Sequence, residues 1–299
     1  MAMSIREGFA GGDVFAVLLG SMQDAGLPHA GCQCAHCRAA FADPTRIRYA
    51  TSLAIIDHRP ESPAVWLIDA TPDIKYQLHA LAGYLGPHPT RPGRLRQPDG
   101  LFLTHGHMGH TAGLAHLGPE VMAVGELPVY GPAGLLQVLS ATALWRPAVQ
   151  GFAFRPLESL QSFLLAPDLT ITPRLVPHRD EWRAGTFAYE IAGPHQRLLY
   201  LPDIDSWAAW PEAVAVLAGV NVALVDASFW SDAELGGRPP VAHPLVPDTL
   251  ELVAEVDTQI VLTHLNHTNP LLNPAGPESQ LIAQTRNVRV GRFGQQWAL

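Results

Sequence analysis

Leu101–Leu114 reads LFLTHGHMGHTAGL. Leu101 to Leu103 form a short apolar run, which reads as a buried strand. That strand delivers His105, His107 and His110 into the turn beyond it, just ahead of a helix-like AGLAHL segment. Neutral imidazole is the commonest protein metal ligand. His105 and His107, two positions apart on a turning backbone, can converge on one cation, and His110 can bend round to a second. A histidine-rich surface loop would instead follow polar sequence.

Around this stretch the composition sets bounds. The chain has 299 residues, 47% hydrophobic and 15% charged, which suits a sizeable core. No apolar run reaches the about 18 residues a membrane span needs, so no membrane association is expected. A net charge of −8 without a Lys/Arg cluster argues against a nucleic-acid polymer as partner. The start, MAMSIREGFAGGDVFAVLLG, lacks the basic flank and cleavage site of a secretory signal, so a cytoplasmic protein is expected. Residues 1–10 read as a flexible extension and Val14 to Leu19 as the first strand. Cys32, Cys34 and Cys37 are the three cysteines, spaced C-x-C-x-x-C. An odd, clustered set is poor disulfide arithmetic and good metal arithmetic, with Zn²⁺ the natural ion. His29, His36 and the distant His267 are candidates for a fourth ligand.

Further along, Ser52 to Ile56 and Ala64 to Ile68 read as a strand pair, the second ending at Asp69, which could orient a metal-bound histidine. Residues 86–99 read as a surface loop in which His88 is solvated. Residues 151–176 read as an antiparallel meander that leads to His178. Phe187 to Ile191 and Leu198 to Leu201 read as a hairpin ending at Asp203. Trp207 to Leu217 reads as one helix, Val222 to Val225 as a strand ending at Asp226, and Ile260 to Leu262 as a strand ending at His264. At least five strands thus hand a His or Asp to the loop beyond them, the usual way a packed scaffold builds a site.

THGHMGH resembles the HxHxDH motif of the metallo-β-lactamase fold superfamily, with Gly109 where that family usually carries Asp. The resemblance implies an α/β four-layer αββα sandwich, with residues 11–299 as one domain. It also implies a first metal site of His105, His107 and His178, and a second of His110, Asp203 and His264, with Asp203 bridging. The C-x-C-x-x-C segment beside this motif is similar to the phosphoribosyl cyclic phosphate phosphodiesterase family. There, a histidine three residues after the last active-site histidine completes a structural zinc. His264 and His267 have that spacing, so Cys32, Cys34, Cys37 and His267 are expected to hold one structural Zn²⁺. LVDASFW (224–230), AHPL (242–245) and THLNHTNP (263–270) resemble segments of the pyrroloquinoline quinone biosynthesis protein B family. That family generally lacks the full histidine set of the first motif, which this chain has.

The expected function is a metal-dependent hydrolase that uses a metal-bound hydroxide on a small-molecule phosphodiester or other ester. One or two divalent metals, Zn²⁺, Mn²⁺ or Fe²⁺, would occupy the active site. His243 is the candidate general acid, because its loop could overhang the metals. With Gly109 in place of a carboxylate, His110, His264 and Asp203 also have the composition of a 2-His-1-carboxylate iron site. The alternative is therefore an iron-dependent oxidative enzyme. Asp180 and Glu181 are candidates to contact metal-bound solvent or a substrate amine, and Trp182, Phe229 and Trp230 to line the pocket. A homodimer is expected only because dimers are the commonest assembly.

Overall fold

Period-two patterning in the first strand sends its side chains into two different cores. Val14, Ala16 and Leu18 join one buried cluster, and Phe15, Val17 and Leu19 join another. Successive strand residues point to opposite faces, so a strand apolar on both faces is covered on both. The computed structural model describes residues 5, 13–180, 182–238, 240 and 242–299. The extension expected over residues 1–10 lies, apart from Ile5, outside the described residues.

The strands, in chain order, are β1 (Val14–Gly20), β2 (Ser52–Asp57), β3 (Ala64–Ile68), β4 (Gly100–Phe102), β5 (Leu127–Pro132), β6 (Phe152–Leu157) and β7 (Phe163–Ala166). They continue with β8 (Leu169–Val176), β9 (Thr186–Ala192), β10 (Arg197–Leu201), β11 (Val222–Asp226), β12 (Gln259–Thr263), β13 (Val288–Val290) and β14 (Gln296–Ala298). One sheet runs β14-β1-β2-β3-β4-β5-β6 and the other β13-β12-β11-β10-β9-β8-β7. Between them lies a core that includes Ile55, Trp66, Phe102, Tyr189, Tyr200, Leu224 and Val261. The outer face of the first sheet packs on Ile74, Leu78, Leu135 and Leu139 of its helices. That of the second packs on Ala213, Leu217, Val246 and Ile282. This is the α/β four-layer αββα sandwich that the resemblance implied.

Strand direction places the site. β3, β4, β5 and β6 pair in parallel, as do β10, β11, β12 and β13. Parallel neighbours present their carboxyl ends to one edge, where α/β sheets bind ligands. β8 is antiparallel to β9, and β9 to β10, so β8 points the same way as β10. Asp69, His105, His178, Asp203 and His264 follow such ends, and Asp226 is the last residue of β11.

Two expectations need correction. The meander read over 151–176 is split between sheets: β6 pairs in parallel with β5, whereas β7 pairs with β8. The chain crosses over at residues 158–162, and local alternation carries no information about which sheet a strand joins. The single helix read over Trp207 to Leu217 is a 3₁₀ turn, Trp207–Ala209, and a separate helix, Ala213–Ala218. Pro211 lies between them and cannot supply the hydrogen bond an interior helical residue donates. Among the described residues no helix is long and apolar enough to cross a membrane.

Candidate metal centre

The histidine turn is fastened to the end of β3. The Thr104 amide and hydroxyl donate to the Asp69 carboxylate at 2.8 and 3.0 Å. The Ala70 N–H donates to the His110 carbonyl at 2.9 Å, and Gly113 N–H to the Ala70 carbonyl at 2.8 Å. A short helix, Met108–Thr111, begins directly after His107 and turns His110 back over the strand ends.

The imidazoles are held by their outer nitrogens. His105 Nδ1 lies 3.0 Å from the Thr104 hydroxyl, whose own proton goes to Asp69. His110 Nδ1 lies 2.7 Å from Asp69 Oδ2. His264 Nδ1 lies 3.0 Å from the Ser228 hydroxyl, which donates to Asp226 Oδ1 at 2.8 Å. His178 Nδ1 sits 2.9 Å from Asp205 Oδ1, close but not aligned as a hydrogen bond. In each case an oxygen faces Nδ1, which assigns the proton to Nδ1 and leaves a lone pair on Nε2.

Those Nε2 atoms converge. His105 Nε2 is 2.9 Å and His178 Nε2 3.3 Å from His107 Nδ1. Ligand nitrogens 2.0–2.1 Å from a tetrahedral cation stand about 3.3 Å apart, so this spacing fits one ion. His110 Nε2 is 3.0 Å and His264 Nε2 3.4 Å from Asp203 Oδ2. Asp203 Oδ2 and His264 Nε2 are buried without a hydrogen-bond partner, a cost that a shared cation would relieve. His178 Nε2 is 3.7 Å from Asp203 Oδ1, so that carboxylate stands between the two histidine sets. His105, His107 and His178 could hold one cation. A second could be held by His110, Asp203 and His264.

Protonation states suit this. Burial holds His105 and His178 below the ordinary histidine range and His264 down to about 4, despite nearby carboxylates. Burial disfavours the Asp203 charge, but His264 and His110 outweigh it and hold the carboxyl well below its usual value. Neutral imidazole and ionised carboxylate are the ligating forms. His110 differs: burial opposes its charge, yet Asp69 and Asp203 on either side hold it well above the histidine range.

His243 joins the group from the far side. Its Nδ1 donates to Asp226 Oδ2 at 2.6 Å and lies 3.9 Å from Asp203 Oδ1. Burial works against its charge, but Asp226 prevails and raises it to about 9. Asp69, His243 and His264 have φ of 68°, 71° and 59°. Non-glycine residues there cost on the order of 1–3 kcal/mol and cluster at functional sites.

The Cys32, Cys34 and Cys37 thiols gather with His267, whose Nδ1 is 3.6 Å from the sulfurs of Cys32 and Cys34. Cys34 caps the helix Ala35–Ala42 by accepting from the Cys37 N–H, which puts both thiols at one helix start. The Cys34 N–H holds the Cys32 thiol below its ordinary value, whereas burial pushes Cys37 up to about 12. His29 and His36 are neighbours instead: the His29 N–H donates to Cys37 Sγ, and His36 Nδ1 meets the His267 carbonyl.

Several expectations are redrawn. Asp180 accepts from the backbone of Trp182, Ala184 and Gly185 at 2.8, 3.0 and 3.0 Å, so it shapes its own loop. Glu181 lies outside the described residues. Trp182 packs against Gly106, where a Cβ would meet its ring at 2.5 Å, so it buttresses the histidine turn. Phe229 does line the cleft, while Trp230 packs against the helical core of the second sheet. His88 accepts from Arg91 at 2.9 Å. The sequence reading assigned no role to Asp226, Ser228 or Asp205. A buried strand ending in Asp, as at Asp203, was the available signal for Asp226.

Gly109 has a local cause. A Cβ there would meet the Asp24 Cα at 2.7 Å. The turn carrying Asp24 occupies the space from which the usual carboxylate would project. Gly109→Ala is expected to cost about 1–3 kcal/mol by overpacking, read as a lower Tm, and Gly109→Asp is expected to be no better tolerated.

Comparison with known proteins gives a consistent picture. Coenzyme PQQ synthesis protein B of Pseudomonas fluorescens (strain Pf0-1) is 27% identical, covering 96% of this chain and all (100%) of the relative. That of Methylobacterium radiotolerans is 29% identical over 88% of this chain and 92% of the relative. Zinc-bound PqqB from Methylobacterium extorquens superposes with a TM-score of 0.80 at 23% identity, over 95% of this chain and 100% of that one. A diphosphatase of the PhnP family superposes with a TM-score of 0.70 at 20% identity, over 96% and 97%. The family described as the beta-lactamase superfamily domain matches residues 66–265, which run from within β3 to just past His264 and so span both histidine sets. With its strand order and its clustered imidazoles both accounted for, the chain belongs to the β-lactamase superfamily.

Proposed function

We propose that this protein is a metal-dependent hydrolase of a small-molecule phosphodiester or other ester. His105, His107 and His178 would hold one divalent cation, and His110, His264 and Asp203 a second. One observation carries the reading: the inner nitrogens of His105 and His178 meet His107 Nδ1 within 3.3 Å, beside an ionised Asp203. Cations held there would supply Lewis acidity, able to polarise an ester oxygen and to lower the pKa of water toward about 7. The protein's part is positioning. Asp69, Thr104 and Ser228 fix imidazole orientation, with Asp205 beside His178, and such outer partners are typically worth about 10–100-fold in metal affinity or activity. Asp226 keeps a proton on His243 Nδ1, and the imidazolium can give the proton at Nε2 to a leaving oxygen. The cleft above, about 360 Å³, is lined by His107, Asp203, His243 and Arg179, a size that suits a small molecule.

A second reading is an iron-dependent oxidative enzyme. It is supported by the relatives named for coenzyme PQQ synthesis and by Gly109, which leaves His110, His264 and Asp203 as a 2-His-1-carboxylate set. Metal analysis of the purified protein, with bis(p-nitrophenyl) phosphate and an ester panel assayed with and without oxygen, separates the two. Two active-site equivalents and oxygen-independent turnover support hydrolysis; iron with oxygen consumption and no ester cleavage overturns it.

His243→Gln tests the proton donor. Turnover of esters with alkoxide leaving groups is expected to fall about 10²–10⁴-fold, and that of p-nitrophenyl esters far less, since p-nitrophenolate leaves unaided. Equal losses on both series would remove His243 from that role.

A further inference from the structure

Past His243 the cleft opens into a second lobe of about 320 Å³. Gln23, Arg179 and His243 line both lobes, so the two adjoin. Arg179 and Arg238 line the second lobe together with the apolar Phe229, Leu235 and Pro240. Some arginines elsewhere are paired, Arg59 with Asp57, Arg96 with Asp99, Arg174 and Arg197 with Glu190, while others such as Arg38 and Arg94 meet only backbone carbonyls. Arg179 and Arg238 have no carboxylate partner among the described residues. Arg238 Nε donates to the Leu235 carbonyl at 3.1 Å, which anchors the base of the fork. Arg179 is anchored through its backbone, whose N–H meets Asp205 Oδ2 at 3.3 Å. Of the carboxylates lining the cleft, Asp203 is engaged by histidines and Asp24 lines the first lobe only. In a chain of net charge −8, two unmatched arginines in one lobe leave a local surplus of positive charge.

We propose that the second lobe is a subsite for an anionic group, carboxylate or phosphate, carried by the substrate beyond its scissile bond. The substrate class is an ester whose non-leaving arm is a short apolar chain ending in an oxyanion. The chain lies along Phe229, Leu235 and Pro240, and the oxyanion meets the planar forks of Arg179 and Arg238. The assignment rests on the hydrolytic reading for where the scissile bond sits.

The test compares p-nitrophenyl phosphodiesters whose second ester group is butyl, carboxybutyl or phosphonobutyl. The wild-type holoenzyme is expected to prefer a charged tail over butyl by about 10–100-fold in kcat/KM, at about tenfold per arginine, and R179Q/R238Q to lose the preference. Whichever charged tail is favoured identifies the natural anion. No preference in wild type, or a preference that survives in R179Q/R238Q, overturns the proposal. If no ester is turned over, the hydrolytic reading fails separately. Calorimetric titration with the same esters then decides: tail-dependent affinity lost in R179Q/R238Q supports the subsite, and equal affinity in both proteins overturns it.

Discussion

Asp203→Asn is expected to lower turnover about a thousandfold or more and to leave the purified protein with at most one active-site cation. The carboxylate contacts His110 at 3.0 Å and His264 at 3.4 Å through Oδ2, and His178 at 3.7 Å through Oδ1. Among the described residues it is thus the one anion that faces both histidine sets. The carboxamide keeps the shape but removes the charge. Cation stabilisation of the reacting group is worth several kcal/mol, and about 4 kcal/mol corresponds to about 10³ in rate. Position 109 has no carboxylate, and the nearby Asp69 and Asp226 are engaged by His110 and by Ser228 and His243, so no free carboxylate among the described residues replaces the lost charge. His178→Ala should remove the first cation while sparing the second, so metal counts on the two variants separate the sites. A two-cation protein with normal turnover after Asp203→Asn would refute the shared-ligand assignment.

The two variants also show which parts of the site a linear sequence can reveal. His105, His107 and His110 were readable because one short strand, β4, presents all three. Asp203 and His264 were readable because each ends a buried apolar strand and the superfamily resemblance supplies the order. Asp205, Asp226 and Ser228 matter through partners that sequence does not mark, most of them distant along the chain. Ser228 reaches His264, and Asp226 reaches both Ser228 and His243. No periodicity encodes such pairings. Gly109 is the clearest case. Sequence shows that a carboxylate is missing, but the reason, the Asp24 backbone packed against it, comes from a segment more than eighty positions away. The sheet assignment of β6 and β7 was hidden for a related reason. Strand patterning reports burial, whereas sheet membership depends on the crossover at residues 158–162.

Cys34→Ser is expected to release the metal of the thiolate cluster and to lower stability strongly, with a smaller direct effect on chemistry. Cys34 has two roles at once. Its sulfur lies 3.6 Å from His267 Nδ1, and it accepts the Cys37 N–H at the start of the helix Ala35–Ala42. Serine can still cap the helix but is a poor ligand for a soft cation, so the variant isolates the metal's contribution. The cluster joins segments over two hundred residues apart, and His267 is three positions from His264. A cation bound there would close a long loop and brace the active-site edge. A bound cation stabilises the folded state by mass action, and in small zinc domains its binding supplies the folding free energy itself. For a loss of about 3–5 kcal/mol, a chain of this size should melt about 6–20 °C lower. Chelation of wild type should reproduce that shift, and chelation of Cys34→Ser should add little to it. A His267→Ala variant should match Cys34→Ser in both readouts. If chelator leaves the wild-type Tm unchanged while removing one zinc equivalent, the cluster binds metal without supporting the fold, and the bracing of His264 through His267 is wrong.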